Sequence, residues 1–216
     1  MTLAGKHILV TAGPTHEPID PVRLIANRSS GRQGFAIAQA AAEAGARVTL
    51  IAGPVTLPTP PGVERIDVET AEEMANAVFC VLPVDAAILV AAVADWRVLP
   101  SPNKLKKGEG PPQLRFIPTR DILAELGAST KRPRLLVGFA AETDNVVAHA
   151  ITKRTAKNAD WIVANDVSGE VMGGDRNEIH LVTPQGVEDW PEASKRDVAR
   201  MLIKRMAIEL ETKAAS

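Results

Sequence analysis

Short runs of consecutive apolar residues recur along this chain and alternate with segments of helical periodicity. His7–Ala12, Arg47–Gly53 and Ala86–Ala92 are the clearest runs. Strands that are apolar at nearly every position are typical of parallel sheets covered by helices on both faces. Between these runs, Gly31–Gly45 and the segment after Thr70 have the apolar spacing of helices. The alternation predicts an α/β fold: a doubly wound, Rossmann-like, mostly parallel sheet with helices on both faces and right-handed crossovers.

Composition narrows the range of functions. The chain has 216 residues, which corresponds to between one and two domains at about 150 residues each. Its 25 Lys and Arg residues against 26 Asp and Glu residues give a formal net charge of -1, so no overall basic field attracts nucleic acid or anionic lipid. Aromatic residues make up 3% and tyrosine is absent, which argues against a base-stacking platform for single-stranded nucleic acid.

The N-terminal residues and the cysteine usage favour a cytoplasmic protein. Met1–Lys6 contains no apolar signal segment, and no run approaches the roughly 18 apolar residues of a membrane span. Cys80, the single cysteine, lies in the apolar run Val78–Leu82 and is expected to be a small core residue. One cysteine forms no internal disulfide, which fits a reducing compartment.

The alternation is interrupted by Leu99–Pro112, which is rich in proline, glycine and lysine and favours neither helix nor strand. A loop of about 14 residues inside a compact domain is usually a functional lid or a linker. Residues 97–112 are therefore predicted to form a flexible lid.

Regular elements resume after this loop and continue to the end of the chain. Strands and helices are predicted to alternate at Gln113–Ile117, Arg120–Leu126, Leu135–Ala141, Asn145–Asn158 and Trp161–Val167. A β-hairpin, Glu178–Thr183 with Val187–Trp190, and a helix from about Glu192 to Lys213 complete the chain. A single domain spanning residues 1–216, with the lid inserted, is the simplest interpretation.

A candidate anion site lies between the first strand and the first helix. The Gly-x-Gly-x-x-Gly pattern of dinucleotide-binding folds is missing, but Gly13, Gly31 and Gly34 lie close to Ser29 and Ser30. Small residues let the backbone approach a ligand, and a helix N-terminus offers free N–H groups to a phosphate. The alternative is that Ser29 or Ser30 simply caps the helix.

Asp95 follows the apolar strand that ends near Ala92. Open α/β sheets bind ligands beyond the carboxyl ends of their strands, and a carboxylate there can accept hydrogen bonds from ribose hydroxyls. A solvated aspartate that opens a loop is an equally simple interpretation.

Two groups of cations are candidates for binding a polyphosphate. The lid carries Lys104, Lys106 and Lys107, and the predicted helix Asn145–Asn158 places His149, Lys153 and Lys157 at four-residue spacing. Like charges at this spacing destabilise an isolated helix, so an anionic ligand would account for them. Plain solubility is the alternative.

No protein-made metal site is expected. The four histidines have no metal-ligand spacing: His7, His16, His149 and His180.

Taken together, several segments resemble one family. They are Thr11–Thr15, Glu17–Arg23, Asn27–Gly31, Ala91–Asp95, Lys104–Lys107, Val137–Thr143 and Ala164–Val167, in the family's order over nearly the whole chain. The chain resembles the phosphopantothenoylcysteine synthetase domain, the CTP-dependent phosphopantothenate–cysteine ligase half of the bacterial bifunctional coenzyme A biosynthesis flavoprotein.

The resemblance implies a two-step ligation. The carboxylate of 4'-phosphopantothenate attacks the α-phosphate of CTP and releases pyrophosphate. The amine of L-cysteine then attacks the acyl-cytidylate, and CMP leaves. A Mg²⁺ ion is implied as cofactor, held mainly by the phosphates and not by a protein cage.

The roles of individual residues carry over by position. Lys104, the first lysine of a K-x-K-K motif, is implied to approach the triphosphate and help form the acyl-cytidylate. Asn27 is implied to handle that intermediate and its capture by cysteine, and Asp95 to bind the CTP ribose. The other implied CTP contacts frame the base (Leu89, Val90, Ala91, Ile117, Pro118, Thr119, Arg120 and Phe139), meet the nucleotide from a helix (Lys153 and Lys157) or contact phosphate (Gly13, Ser29 and Ser30).

The resemblance also implies partners. A homodimer is expected, and a phosphopantothenoylcysteine decarboxylase is expected to be fused to or associated with this domain in the native protein. No decarboxylase segment precedes the domain in this sequence, so no flavin is expected on this chain. Bacterial members favour CTP and eukaryotic relatives use ATP, and the motifs here match the bacterial ones.

Two other functions are compatible with a nucleotide-binding α/β fold. An NAD(P)-dependent reductase or epimerase would need the glycine pattern that is missing here, and commonly a Tyr-x-x-x-Lys pair. A nucleotide-sensing module would bind CTP without turnover, although the lysine-rich lid favours chemistry in a closed site.

Overall fold

A computed structural model describes residues 2–106, 108, 112–166 and 176–215. In chain order its elements are β1 (His7–Ala12), β2 (His16–Pro18), β3 (Leu24–Ala26), α1 (Arg32–Glu43), β4 (Arg47–Ala52), β5 (Val63–Asp67), α2 (Ala71–Val81), β6 (Ala86–Leu89), β7 (Trp96–Val98), β8 (Phe116–Pro118), α3 (Ile122–Ala128), β9 (Leu135–Glu142), α4 (Val146–Ala156), β10 (Trp161–Asp166), β11 (Arg176–Thr183), β12 (Gly186–Ser194) and α5 (Lys195–Ala215).

The main sheet has eight strands in the order β12-β11-β10-β9-β6-β1-β4-β5. The six strands from β10 to β5 pair in parallel, and β11 and β12 add an antiparallel hairpin at one edge. From β1 the chain moves outward to β4 and β5, then returns to place β6 on the opposite side of β1. This reversal is a topological switch point, where doubly wound sheets open a crevice for ligands.

Helices cover both faces of the sheet, as the apolar runs predict. In β1, Ile8 and Val10 belong to one buried cluster and Leu9 to the other, and all three are fully buried. The first cluster packs against α1 and α5, and the second against α2, α3 and α4. The doubly wound α/β prediction is confirmed.

Local signals account for several boundaries. Thr70 and Glu73 form the reciprocal capping box that begins α2. At Gly34 an added Cβ would lie 2.5 Å from the Cβ of Ala12, so only glycine lets α1 pack this closely on β1.

Five features differ from the sequence predictions. Two antiparallel ribbons, β2–β3 and β7–β8, were not predicted. Residues 97–98 lie in β7 and thus in the stem of the lid, and the strand predicted at Gln113–Ile117 is β8, Phe116–Pro118. Three-residue strands are too short to give a periodic signal, which explains these differences.

The other two differences lie in α2 and in the C-terminal region. Cys80 is exposed, because the apolar run around it is the last turn of α2 and Cys80 falls on its outer face. The strand β12 continues past Pro191 to Ser194, so α5 begins at Lys195 and not at Glu192. Proline is tolerated in β12 because this strand lies at the edge of the sheet.

Within the described residues, no helix combines the length and the apolar character that crossing a membrane requires.

His7 gives the fold an expected acid sensitivity. Its Nε2 lies 2.9 Å from Thr49 Oγ1, and burial, reinforced by the charge of Arg47, lowers its pKa below the ordinary 6.5. Protonation is therefore harder in the folded state, so this contribution to stability is complete above pH 6.5 and is lost as the pH falls through the lowered pKa.

We expect His7→Gln to lose less stability than the unaltered protein between about pH 7.5 and about pH 5. Urea unfolding at the two pH values measures the difference. Parallel losses in the two proteins would contradict the assignment to His7.

Candidate functional site

A cleft of about 1000 Å³ opens beyond the carboxyl ends of β1, β6 and β9. Its walls come from the turn after β1, the segment after β6, the start of α1 and one side of α4. It therefore lies at the switch point between β1 and β6. The volume is that of a site for a cofactor-sized molecule.

Most of the residues predicted to bind CTP line this cleft. They are Gly13, Asn27, Ser29, Ser30, Leu89, Val90, Ala91, Asp95, Pro118, Thr119, Arg120, Phe139, Lys153 and Lys157. Ile117 and Lys104 do not line it. The topology thus brings together segments that are more than a hundred residues apart in sequence.

Two glycines that line the cleft, Gly13 and Gly31, bring their backbones into close contact. Gly13 and Gly31 both have positive φ angles, 81° and 72°, and an added Cβ on Gly31 would lie 3.5 Å from Gly13 Cα. This close approach brings the beginning of α1 against the end of β1. It places the positive end of the α1 dipole at the cleft.

Neither serine caps α1, so the capping alternative is wrong. Gly31 is the N-cap, and its conformation leaves the helix without a side-chain cap. Ser29 Oγ accepts a hydrogen bond from Gly31 N at 3.3 Å, which shapes the turn before the helix. Both serines line the cleft, an arrangement compatible with phosphate binding.

Asn27 is exposed at the cleft, and a hydrogen bond holds one end of its side-chain amide. Its Nδ2 donates a hydrogen bond to the Val93 carbonyl oxygen at 2.9 Å, which fixes the plane of the amide. This bond joins the end of the β2–β3 ribbon to the segment that follows β6.

The segment after β6 is irregular, and hydrogen bonds with three threonine residues hold it in place. Thr11 Oγ1 accepts from Ala91 N at 3.2 Å, and Thr15 Oγ1 accepts from Ala94 N at 3.0 Å. Thr119 N–H donates to the carbonyl oxygen of Asp95 at 3.1 Å. These bonds leave the Asp95 side chain exposed at the rim of the cleft.

The cations of α4 have partners within the protein. Lys153 Nζ donates to the Phe139 carbonyl oxygen at 2.8 Å, and burial lowers the pKa of Lys153. His149 Nδ1 lies 3.4 Å from Glu142. The solubility alternative does not describe Lys153, because its ammonium group is drawn into the wall of the cleft.

Lys157 forms an ion pair with Asp121, which is also the N-cap of α3. Burial acts to raise the pKa of Asp121, but the hydrogen bond from Lys157 and the Ala124 amide bring it below its ordinary value. The charge repulsion between the cationic side chains of α4 is thus partly relieved without a ligand.

Arg120 is largely occupied by protein contacts. Its guanidinium binds Glu125, Glu72 and Asn76 and lies over the Phe79 ring at 5.5 Å. Residues 118–120 all line the cleft.

The lid lysine Lys104 is exposed and lies outside the cleft. The next residue, Leu105, is fixed to the β2–β3 turn through both of its backbone polar groups. The last lysine of the motif, Lys107, and Val167 of the Ala164–Val167 segment lie outside the described residues.

Sequence reasoning missed several cleft residues. Arg28 stands inside the motif around Asn27, and its position there was the available signal. Lys195 gave no such signal, because only the packing of α5 beside α1 brings it to the cleft, where its carbonyl oxygen accepts from Gln33 Nε2 at 3.1 Å.

The described part of the chain contains no group of three or more His, Cys, Asp or Glu residues able to hold a metal ion. Among the described residues, two separate carboxylates line the cleft, those of Asp95 and Asp121. A Mg²⁺ ion bound to a triphosphate needs only one or two protein carboxylates, so the lining is compatible with a metal that enters on the nucleotide.

Comparisons with known proteins agree with the fold and with the resemblance. The coenzyme A biosynthesis bifunctional protein CoaBC of Escherichia coli strain K12 is 44% identical to this chain over 218 aligned positions, covering 98% of this chain and 54% of that protein. This chain thus spans about half the length of that relative.

Solved structures show the same architecture. The crystal structure of the C-terminal domain of a coenzyme A biosynthesis bifunctional protein CoaBC is 40% identical, with a TM-score of 0.83 and 97% of each chain covered. A mutant of Cab2 in complex with phosphopantothenate-cysteine is 16% identical, with a TM-score of 0.75 over 98% of this chain and 89% of that one, and shows the fold alone.

The family model described as the DNA/pantothenate metabolism flavoprotein C-terminal domain matches residues 3–209. The chain belongs to this family, and the resemblance inferred from its motifs is confirmed.

Proposed function

We propose that this chain is a phosphopantothenate–cysteine ligase of coenzyme A biosynthesis that uses CTP. The observation that carries the proposal is the convergence of the predicted nucleotide-binding residues on one cleft at the switch point of the sheet. The kinship with the C-terminal half of CoaBC, a protein named for coenzyme A biosynthesis, supports the same assignment.

The proposed chemistry solves a general problem of amide formation. A carboxylate is a poor acyl electrophile, so the 4'-phosphopantothenate carboxylate first attacks the α-phosphate of CTP and displaces pyrophosphate. The resulting acyl-cytidylate has a good leaving group. The amine of L-cysteine attacks its carbonyl carbon, the amide C–N bond forms, CMP leaves and the amine loses a proton.

In this scheme the protein positions the reactants and stabilises charge on phosphate oxygens. The turn at Gly13, Ser29 and Ser30 is proposed to bind phosphate at the start of α1. Asp95, exposed at the rim, would accept hydrogen bonds from the ribose. Lys153 and Lys157 would contribute positive charge from α4.

The cytosine is proposed to lie against backbone groups. The segment around Leu89–Ala91 and residues Pro118–Arg120 offer amide and carbonyl groups that can read a base edge, with Phe139 beside them. Ile117 is placed in the same wall by the resemblance, although its own atoms do not line the cleft.

The two proposed catalytic residues rest on different support. Asn27 is at the cleft with its amide oriented by Val93, a position suited to the acyl-cytidylate. Lys104 is assigned by the K-x-K-K resemblance and not by its position. The Mg²⁺ proposed to accompany CTP would offset phosphate charge, with Asp95 and Asp121 as the nearby carboxylates.

Pyrophosphate release is the direct test of the function. We expect release from CTP in the presence of 4'-phosphopantothenate and Mg²⁺, with CMP formed when L-cysteine is added, and much less release when ATP replaces CTP. If neither mixture yields pyrophosphate or CMP, the proposed function is wrong; CTP binding without turnover would favour a nucleotide sensor.

The two catalytic roles predict different defects. Lys104→Ala should lower pyrophosphate release to about a hundredth or less, because charge stabilisation on the triphosphate is lost. Asn27→Ala should retain part of the pyrophosphate release while blocking the cysteine adduct. Lys131→Ala, an exposed lysine remote from the cleft, is the matched control. Equal loss of both steps in Lys104→Ala and Asn27→Ala would refute the division of roles.

We also propose a homodimer formed through the two ribbons. Five large apolar side chains are strongly exposed on β2–β3, on β7–β8 or beside them: Val22, Leu24, Trp96, Leu99 and Phe116, with exposures of 63%, 47%, 59%, 71% and 56%. A concentration of apolar residues of this kind on the surface marks an interaction site. A fused or associated decarboxylase is the other partner we propose.

We expect the protein to sediment as a dimer and Trp96→Glu to shift it towards monomer, because the charge would have to be buried in the interface. Analytical ultracentrifugation over a concentration series measures the shift. Val187→Glu, an exposed apolar position on the C-terminal hairpin, should leave the dimer intact. A wild-type protein that stays monomeric at high concentration would contradict the proposed interface.

A further inference from the structure

The lining of the cleft is strongly cationic. Among the described residues, six lysines and arginines line it, against the two carboxylates of Asp95 and Asp121. The chain as a whole has a formal net charge of -1, so this excess of positive charge is local. A cleft lined by one sign of charge favours ligands of the opposite sign. The six cations are Arg28, Arg32, Arg120, Lys153, Lys157 and Lys195.

These cations reach the cleft from opposite faces of the sheet. Lys153 lies in α4 and Lys157 ends it, and α4 packs on the same face as α2 and α3. Arg32 and Lys195 belong to α1 and α5, which cover the other face. A ligand at the carboxyl edge of the sheet is therefore flanked by positive charge on both sides. Only the pair at α4 has a role in the nucleotide site proposed above.

Arg32 and Lys195 are each the first residue of a helix. The helix dipole disfavours a positive charge at this end, and the first turn of α1 has no acidic residue to offset it. The helix α2 shows the usual preference, with Glu72 and Glu73 in its first turn. The stability of α1 and α5 therefore does not explain why a cation begins each of them.

The backbone of Lys195 is held in place from two directions. Ser194 Oγ accepts from Asp197 N at 3.1 Å and donates to Asp197 Oδ2 at 2.6 Å, which caps α5. From α1, Gln33 Nε2 donates to the Lys195 carbonyl oxygen at 3.1 Å. Because Gln33 directly follows Arg32, this bond ties the two helix starts together where both line the cleft.

The order of the proposed nucleotide contacts indicates what these two cations would meet. The base is assigned to the segment around Leu89–Ala91, the ribose to Asp95 and a phosphate to the turn at Ser29 and Ser30. This order leads from the end of β6 to the start of α1. The phosphates farthest from the base would then lie towards the helix starts, beside Arg32.

We propose that Arg32 and Lys195 form a binding site for the terminal phosphates of CTP and for the pyrophosphate that leaves. The inference rests on the proposed function for the identity of the nucleotide. Binding of a polyphosphate by these side chains is independent of any reaction. The 4'-phosphate of phosphopantothenate has related chemistry, so the experiment has to distinguish the two sources.

The site would act on the first step of the proposed reaction. A carboxylate oxygen bonds to the α-phosphorus of CTP, and the bond from that phosphorus to the oxygen that bridges to the β-phosphorus breaks. The electron pair of the broken bond stays on pyrophosphate, which therefore gains negative charge as it leaves. Two cations at the terminal phosphates stabilise this charge more in the transition state than in the bound nucleotide.

Titration calorimetry with inorganic pyrophosphate and Mg²⁺ tests the site without the reaction. Arg32→Gln and Lys195→Gln should each weaken pyrophosphate binding about tenfold, the effect of losing one hydrogen bond to a charged group. Lys195→Arg, which keeps the charge, should bind within about threefold of wild type. No measurable binding by the wild-type protein, or unchanged affinity in both glutamine variants, would overturn the proposal.

A comparison of CTP with CMP identifies which phosphates are bound. Both glutamine variants should lose about tenfold in affinity for CTP and stay within about twofold for CMP, because CMP lacks the terminal phosphates. Equal losses for CTP and CMP would contradict the proposal. A loss for 4'-phosphopantothenate with none for CTP would assign the two cations to the other substrate and also contradict it.

Arg196→Gln is the matched control. Arg196 is the next residue of α5, exposed and outside the lining of the cleft, so this change removes the same charge from the same helix end. It should leave the affinities for pyrophosphate and CTP unchanged. Thermal unfolding of Arg196→Gln and Lys195→Gln should be no lower than that of the wild type. A lower unfolding temperature in Lys195→Gln would indicate a structural role and count against the proposal.

Pyrophosphate release connects the site to the reaction. In Arg32→Gln and Lys195→Gln, kcat/KM for CTP should fall about tenfold or more, while KM for L-cysteine stays within about twofold because the second step does not involve the triphosphate. Unchanged kcat/KM for CTP in both variants would refute a role in the first step. A wild-type protein that binds pyrophosphate but releases none from CTP would count against the proposed function, and the pyrophosphate titrations would still decide the site.

Discussion

The parallel pairing of strands that are buried on both faces is the constraint on which the rest of the structure depends. Ile8, Leu9 and Val10 leave β1 no face for solvent, so helices must cover both sides and each parallel connection must cross the sheet. Every parallel strand then ends at the same edge, and the connections that begin there gather at one place. The cleft is the consequence of this geometry at the point where the strand order reverses.

At that edge the backbone leaves regular structure, so its N–H and C=O groups need other hydrogen-bond partners. Thr11, Thr15 and Thr119 supply side-chain oxygens or amides that bind the segment after β6, so that segment is irregular and still fixed. Gly13 and Gly31 act differently, by allowing two backbones to touch. Together these contacts hold the segments that line the cleft, where the proposed nucleotide would bind in a chain with few aromatic residues.

The sequence predicts most of this architecture because its signals are strong and local. Continuous apolar runs locate β1, β4, β6 and β9, and the capping pair Thr70 and Glu73 places α2. The ribbons are missed because three-residue strands such as His16–Pro18 have no period to detect. Cys80 is misplaced because an apolar run does not say which face of a helix each residue takes.

The residues of the candidate site also fall into two groups, those that the sequence predicts and those that it does not. Asp95, Asn27 and the glycines follow strands or precede a helix, so topology alone brings them to the crevice. Lys195 enters through the packing of α5 on α1, which no short-range pattern encodes. The place of Lys104 depends on a lid whose backbone is held by side chains more than eighty residues away, and a sequence motif does not reveal such a contact.

The two edges of the main sheet determine how copies of this protein can meet. β12 carries Pro191 with acidic neighbours, Asp189 and Glu192, and β5 exposes Glu64 and Asp67. Proline and charge on an edge strand prevent another strand from adding to it. An eight-stranded sheet with both edges blocked in this way does not grow into a larger sheet when molecules are crowded together. In the proposed dimer, association would instead use side-chain packing on the ribbons, where the contact surface is finite and the assembly closes.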